Sequence, residues 1–209
     1  MELKNYTLSI NDRVLFRDVN IKFRENTISH ILGNNGCGKS SFAKSCVGML
    51  QYSGAICGNE KIILIGSSSN VPGEFCIDDI TEFLKKRFDN DKVNKLYELL
   101  RLDKVCNSLP IERLSDGQKQ KVKLYTFLSA ENNVIILDEF TNALDKNSTL
   151  ELYDFLNQYI HDFNSIIVNI THNLSDLEYM DGDYYYISKK GMNKIESKLD
   201  VIDKYIKGE

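Results

Sequence analysis

The sequence has 209 residues, of which 42% are hydrophobic and 27% charged; this excludes a disordered chain and suffices for one domain with a full core and a small subdomain. Its 30 acidic residues outnumber 26 basic ones, for a net charge of −4, so the basic footprint of a nucleic-acid binder is missing. The longest apolar runs, such as Val134-Ile135-Ile136-Leu137, suit a buried strand and fall far short of the ~20 residues of a membrane-spanning helix.

In chain order, the N-terminus reads Met1-Glu2-Leu3-Lys4-Asn5, without the basic and apolar blocks of a signal peptide. Leu3 to Ile10, Val14 to Phe16 and Val19 to Phe23 read as short strands around a turn at Asn11-Asp12, an antiparallel edge region. Thr27 to Leu32 is a strand that runs directly into a glycine-rich loop. After that loop Phe42, Ala43, Cys46, Val47 and Leu50 recur at helical spacing. Residues 61–66 form another strand. Residues 78–109 turn helical, with a stripe of Val93, Leu96, Tyr97 and Leu100. A helix over 117–129, a strand over Val134–Leu137, a helix through residues 152–160 and a strand over 165–170 follow, and residues 199–207 close the chain with a short helix. Strands alternating with helices predict an α/β fold with a largely parallel sheet. The five cysteines show no Cys-x-x-Cys spacing and are odd in number, as expected of free thiols in a reducing cytosol.

Gly33-Asn34-Asn35-Gly36-Cys37-Gly38-Lys39-Ser40 matches G-x-x-x-x-G-K-[ST] between a predicted strand and a predicted helix. Such a loop turns backbone N–H groups toward phosphate oxygens, and the helix behind it adds the positive end of its dipole. Lys39 would neutralise the outer phosphates, the Ser40 hydroxyl would ligate Mg²⁺, and Ser41 completes the nucleotide-binding run. Cys37 stands beside Lys39 at a helix start, two features that lower a thiol pKa; an inert filler thiol is the alternative. Downstream, Val134 to Leu137 ends in Asp138-Glu139, two acids at the carboxyl end of a strand, where open α/β sheets bind ligands. Asp138 is a candidate for holding Mg²⁺ and Glu139 for polarising an attacking water.

Leu114-Ser115-Asp116-Gly117-Gln118 resembles the L-S-G-G-Q signature of the ABC (ATP-binding cassette) ATPases, with Asp116 as its one departure, and lies before the Asp-Glu strand as in that family. Ser115 and Gln118 form a capping-box pattern, S-x-x-Q, opening the next helix, and Asp116 falls in its first turn, where a negative charge suits the dipole. The resemblance implies a P-loop NTPase core with an N-terminal antiparallel β-subdomain and a small α-helical subdomain near 78–114, within one domain over residues 1–209. It further implies a head-to-tail dimer, with a second copy or a homologous subunit, in which Ser115, Gly117 and Gln118 of one chain face the ATP of the other. Asn142-Ala143-Leu144-Asp145 resembles the family's D-loop, and Thr171-His172 its switch histidine, which would sense the terminal phosphate and hold the water or Glu139. His30 and His161 are read as structural.

Phe140 stands where the family usually has proline, Ser67 falls nearest the usual glutamine, and Ile10 stands where an aromatic side chain usually stacks on adenine. The last departure predicts loose base selectivity. The resemblance is strongest to compact ATP-binding subunits of bacterial exporters, with peptide as cargo and a separate transmembrane permease as partner, at the inner face of the cell membrane. A soluble non-transport ABC ATPase and a low-turnover regulatory subunit remain as alternatives.

Overall fold

The computed structural model describes residues 1–58, 61–142, 144–188 and 191–208. Strands β1 (Glu2–Ile10) and β2 (Arg13–Lys22) form a hairpin, and β4 (Ser53–Cys57) joins the other edge of β1, giving an antiparallel sheet in the order β2-β1-β4. The two short strands expected over 14–23 are one. They are separated in sequence pattern because Asp18 sits at φ +49° where the register between the partners shifts, and such a bulge breaks the alternation.

The larger sheet has the order β5-β6-β7-β3-β8-β9 among the described residues. Its strands are β3 (Thr27–Gly33), β5 (Ile62–Ile65), β6 (Val134–Asp138), β7 (Ile166–Ile170), β8 (Gly182–Ser188) and β9 (Gly191–Ile195). All neighbours pair parallel except β8 and β9. β6 and β7 are apolar except for Asp138 and Asn169, because both faces are covered. Ile135, Leu137 and Ile167 point into one core, beneath α4 (Asp116–Leu128) and α5 (Lys146–Asp162). Val134, Ile136, Val168 and Ile170 point into the other, which contains α1 (Lys39–Cys46) and the antiparallel sheet.

Between β5 and α4 the chain builds α2 (Ile77–Arg87) and α3 (Asn90–Leu99). The stripe of Val93, Leu96 and Leu100 is buried in the first core. α6 (Ser175–Tyr179) follows β7, and α7 (Lys198–Lys207) packs Val201 against Tyr184 and Tyr186 of β8. Among the described residues no helix is long and apolar enough to cross a membrane. The parallel arrangement carries the carboxyl ends of β3, β5, β6 and β7 to one edge of the sheet, and the segments singled out in the sequence follow those four ends.

Candidate functional site

Gly33 ends β3, and α1 begins at Lys39. Gly36 (φ +73°) and Gly38 (φ +110°) take conformations open to glycine, and a Cβ on Gly38 would press within 3.2 Å of Leu15. These turns leave a loop whose Lys39 ammonium, only 7% exposed as a residue, donates to the carbonyls of Gly33 (2.6 Å) and Asn34 (3.1 Å). The loop floors a cavity of about 800 Å³, walled by Ile10, Arg13 and Leu15 from the hairpin, by Asn35, Lys39, Ser40 and Ser41, and by Glu139. Arg13 fastens the hairpin to the loop through the Gly36 carbonyl (3.2 Å), and Asn34 fastens it to the end of α7 by donating to the Gly208 carbonyl (3.2 Å).

The low thiol pKa expected for Cys37 is not found. Burial pushes the thiol above its ordinary value, and the opposing pull of Lys39 and the loop's backbone hydrogen bonds is smaller. Sequence proximity to a cation did not foresee the desolvation.

Asp138 closes β6 opposite α1. Burial raises its carboxyl pKa, while the Ser40 side chain beside it acts in the other direction. Its Oδ1 is buried without a hydrogen-bond partner. An orphaned carboxyl oxygen next to a serine hydroxyl is a donor set that suits a hard divalent cation. The close approach is enabled by Gly66, where a Cβ would lie 3.3 Å from Asp138.

Glu139 adopts φ +53°, a left-handed conformation rare for glutamate. Its amide donates to the Ile170 carbonyl (2.9 Å). One carboxyl oxygen lies 3.2 Å from Nδ1 of His172, and the other accepts from Asn142 Nδ2 (2.9 Å). The carboxyl is thus held from both sides at the mouth of the phosphate-loop cavity. Asn142 entered the sequence reading only as part of the D-loop resemblance. Its hold on Glu139 had no sequence signal beyond an amide three residues after an acid.

A buried network supports this pair and was invisible in the sequence. Asp176, with 0% exposure, accepts from Thr141 Oγ1 (3.1 Å), Tyr153 Oη (2.6 Å) and Asn169 Nδ2 (3.0 Å). Thr141 is two residues from Glu139, and Asn169 and Asp176 flank His172, so one carboxyl group ties together the two loops that carry the pair. His30 joins the network. Its Nδ1 lies 3.3 Å from Asn169 Nδ2 and its Nε2 lies 2.9 Å from the Met180 carbonyl. Burial lowers its pKa to about 4, so the ring is neutral, donating to Met180 and accepting from Asn169.

The capping box at α4 closes as expected. Ser115 Oγ accepts from the Gln118 amide (3.3 Å), and Gln118 Oε1 accepts from the Ser115 amide (3.0 Å). Asp116 is exposed and lies 3.9 Å from Lys119. A Cβ on Gly117 would lie 2.2 Å from Ser148 Oγ, so the glycine is required by contact with α5. Asp145 caps α5 by accepting from the amides of Asn147 and Ser148, both at 3.0 Å. Its carboxyl is engaged within its own chain, and Ala143 of the same segment lies outside the described residues. Ser67 is exposed beyond β5, while Ser69 closes that turn by donating to the Leu64 carbonyl (3.0 Å).

A glycine-wrapped loop with an embedded lysine, an orphaned aspartate and a braced glutamate at neighbouring strand ends define the class of P-loop nucleotide-binding α/β proteins. The family description "ABC transporter" matches residues 16–142, and the chain belongs to that family. It is 41% identical over 209 residues, covering 99% of both chains, to the Bacillus subtilis (strain 168) protein named "Probable peptide export ATP-binding protein YydI". It is 29% identical over 84% of its length, and 71% of the relative's, to the energy-coupling factor transporter ATP-binding protein EcfA of Pediococcus pentosaceus. Its fold matches CbiO1 of Clostridium perfringens, part of the ABC transporter complex CbiONQ, with a TM-score of 0.81 over 98% of this chain and 91% of that one, at 19% identity. The chain is an ATP-binding subunit of the transporter kind, an ATP hydrolase whose relatives serve in transporter complexes.

Proposed function

We propose that this chain powers the export of a peptide, hydrolysing ATP at the inner face of the cell membrane for a permease encoded as a separate chain. The full-length 41% identity to a relative named for peptide export favours this cargo over the zinc import for which a 27% identical relative is named. In this reading the backbone of Gly33–Ser41 wraps the phosphates and Lys39 neutralises the outer two. Ser40 and Asp138 would hold Mg²⁺, which when bound neutralises developing charge on the phosphates. Glu139 accepts a hydrogen bond and then the proton of the attacking water as its oxygen bonds the terminal phosphorus and the diphosphate leaves, and His172 and Asn142 fix the carboxylate's orientation. Ser115, Gly117 and Gln118 complete the site across a head-to-tail dimer, offering a capped helix N-terminus to the terminal phosphate bound by the other copy, or by a homologous subunit.

The observation that carries this reading is the clamped Glu139 carboxyl between His172 and Asn142, facing the cavity of the phosphate loop. The test is Glu139→Gln in the purified chain. ATP turnover is expected to fall by at least ~100-fold while ATP binding persists and the ATP-bound chain elutes as a dimer. Turnover within about threefold of the unaltered chain would show that the water is activated elsewhere. Co-purification with the permease encoded nearby, followed by peptide efflux from vesicles, tests the cargo.

A further inference from the structure

Behind the Asp138–Glu139 tip lies a second cavity of about 260 Å³, lined by Ser40, Ser67, Lys123, Asp138, Glu139 and Asn142 among others. Ser40 and Glu139 also line the phosphate-loop cavity, so the two spaces border on the same two residues. Lys123 is the one cation among the described residues that line the second cavity, which Asp138 and Glu139 also line.

Lys123 reaches this place from α4, two residues after Lys121 and on a face turned toward the end of β5. Its Nζ donates to the Gly66 carbonyl at 3.3 Å, a long bond, and it has no ion-pair partner among the described residues. An ammonium has three donors, so two of them are left for another acceptor. Burial lowers its pKa, the ordinary result of drawing a cation inward without a paired anion. Such a cation costs stability unless something anionic joins it. Ser67, the nearest polar side chain on the loop after β5, is short and exposed, so it does not occupy the space.

Resting on the nucleotide-hydrolysis reading above, we propose that Lys123 is a specificity residue for the terminal phosphate: its ammonium contacts that phosphate from the second cavity and so distinguishes a nucleoside triphosphate from a diphosphate. Lys39 holds phosphates from the loop side and serves both nucleotides. Lys123 shares the lining of the second cavity with Glu139 and serves only the longer one.

The test uses the full-length chain, with Lys123→Met keeping the apolar stem, Lys123→Gln as a second neutral variant and Lys123→Arg keeping the charge. Dissociation constants are measured with Mg²⁺ for fluorescent ADP and for a fluorescent, non-hydrolysable ATP analogue. The neutral variants are expected to lose roughly tenfold in affinity for the triphosphate, the scale of one charge-assisted contact, with ADP affinity within twofold of the unaltered chain. Lys123→Arg is expected to keep the preference. The proposal is overturned if a folded neutral variant keeps the full preference, if both nucleotides weaken alike, or if Lys123→Arg loses as much as Lys123→Met. An unaltered chain that binds neither nucleotide would overturn the nucleotide reading itself, a result distinct from any of these.

Discussion

Replacing Asp176 by alanine should be among the most damaging single changes outside the phosphate loop. The carboxyl group is fully buried and accepts three hydrogen bonds from Thr141, Tyr153 and Asn169. Its removal strands three donors, and each unsatisfied buried donor costs about 1–3 kcal/mol. Because the donors share one acceptor group and can partly relax, the costs do not add fully. A loss of roughly 3–5 kcal/mol is expected, a large part of the 5–15 kcal/mol typical of a domain. At about 2–4 °C per kcal/mol for a chain of this size, the melting temperature should fall by roughly 10 °C. Urea unfolding with a fixed m-value, backed by calorimetry, measures this. Asp176→Asn keeps an acceptor for Thr141 and Tyr153 but turns an amide toward Asn169, so it should fall between the alanine variant and the original. A stability within 1 kcal/mol for Asp176→Ala would refute the view that this network braces the loops of Glu139 and His172.

Further outcomes follow from the same geometry. Asn142→Ala frees one side of the Glu139 carboxyl and should lower kcat by about tenfold with KM unchanged; a rise in KM alone would contradict it. Iodoacetamide at neutral pH should modify Cys37 more slowly than the exposed Cys106, since burial raises the first thiol and Ser108 lowers the second; mass spectrometry of the alkylated peptides reads the order, and the reverse order refutes the burial effect. His30 has a folded pKa of about 4, below its unfolded value near 6.5, so protonation favours the unfolded chain. Stability is complete above pH 6.5 and falls as pH drops toward 4, by up to about 3 kcal/mol, and His30→Gln should flatten that part of the pH profile. GTP should compete with ATP within about tenfold, a gap of ~1.4 kcal/mol, because Ile10, 37% exposed, offers only an aliphatic surface to the base; a hundredfold preference for ATP would refute this.

The parallel core was legible because β6 and β7 are short, apolar but for Asp138 and Asn169, and followed by polar chemistry, a pattern that fits a sheet covered on both faces. The phosphate loop and the α4 cap were legible because each rests on contacts within a few residues. Three things were not. β4, β8 and β9 carry glycine, tyrosine or charged residues without strict alternation, so their strand character comes from neighbours. The choice between a reactive and an inert Cys37 stayed open because a nearby cation is visible in a sequence and desolvation is not. The Asp176 network joins residues up to 150 positions apart, and nothing local distinguishes Asp176 from any surface aspartate at a helix start.

The contact between Gly117 and Ser148 has a mechanical consequence. With 2.2 Å between a would-be methyl and a hydroxyl oxygen, any residue larger than glycine at position 117 would wedge the starts of α4 and α5 apart.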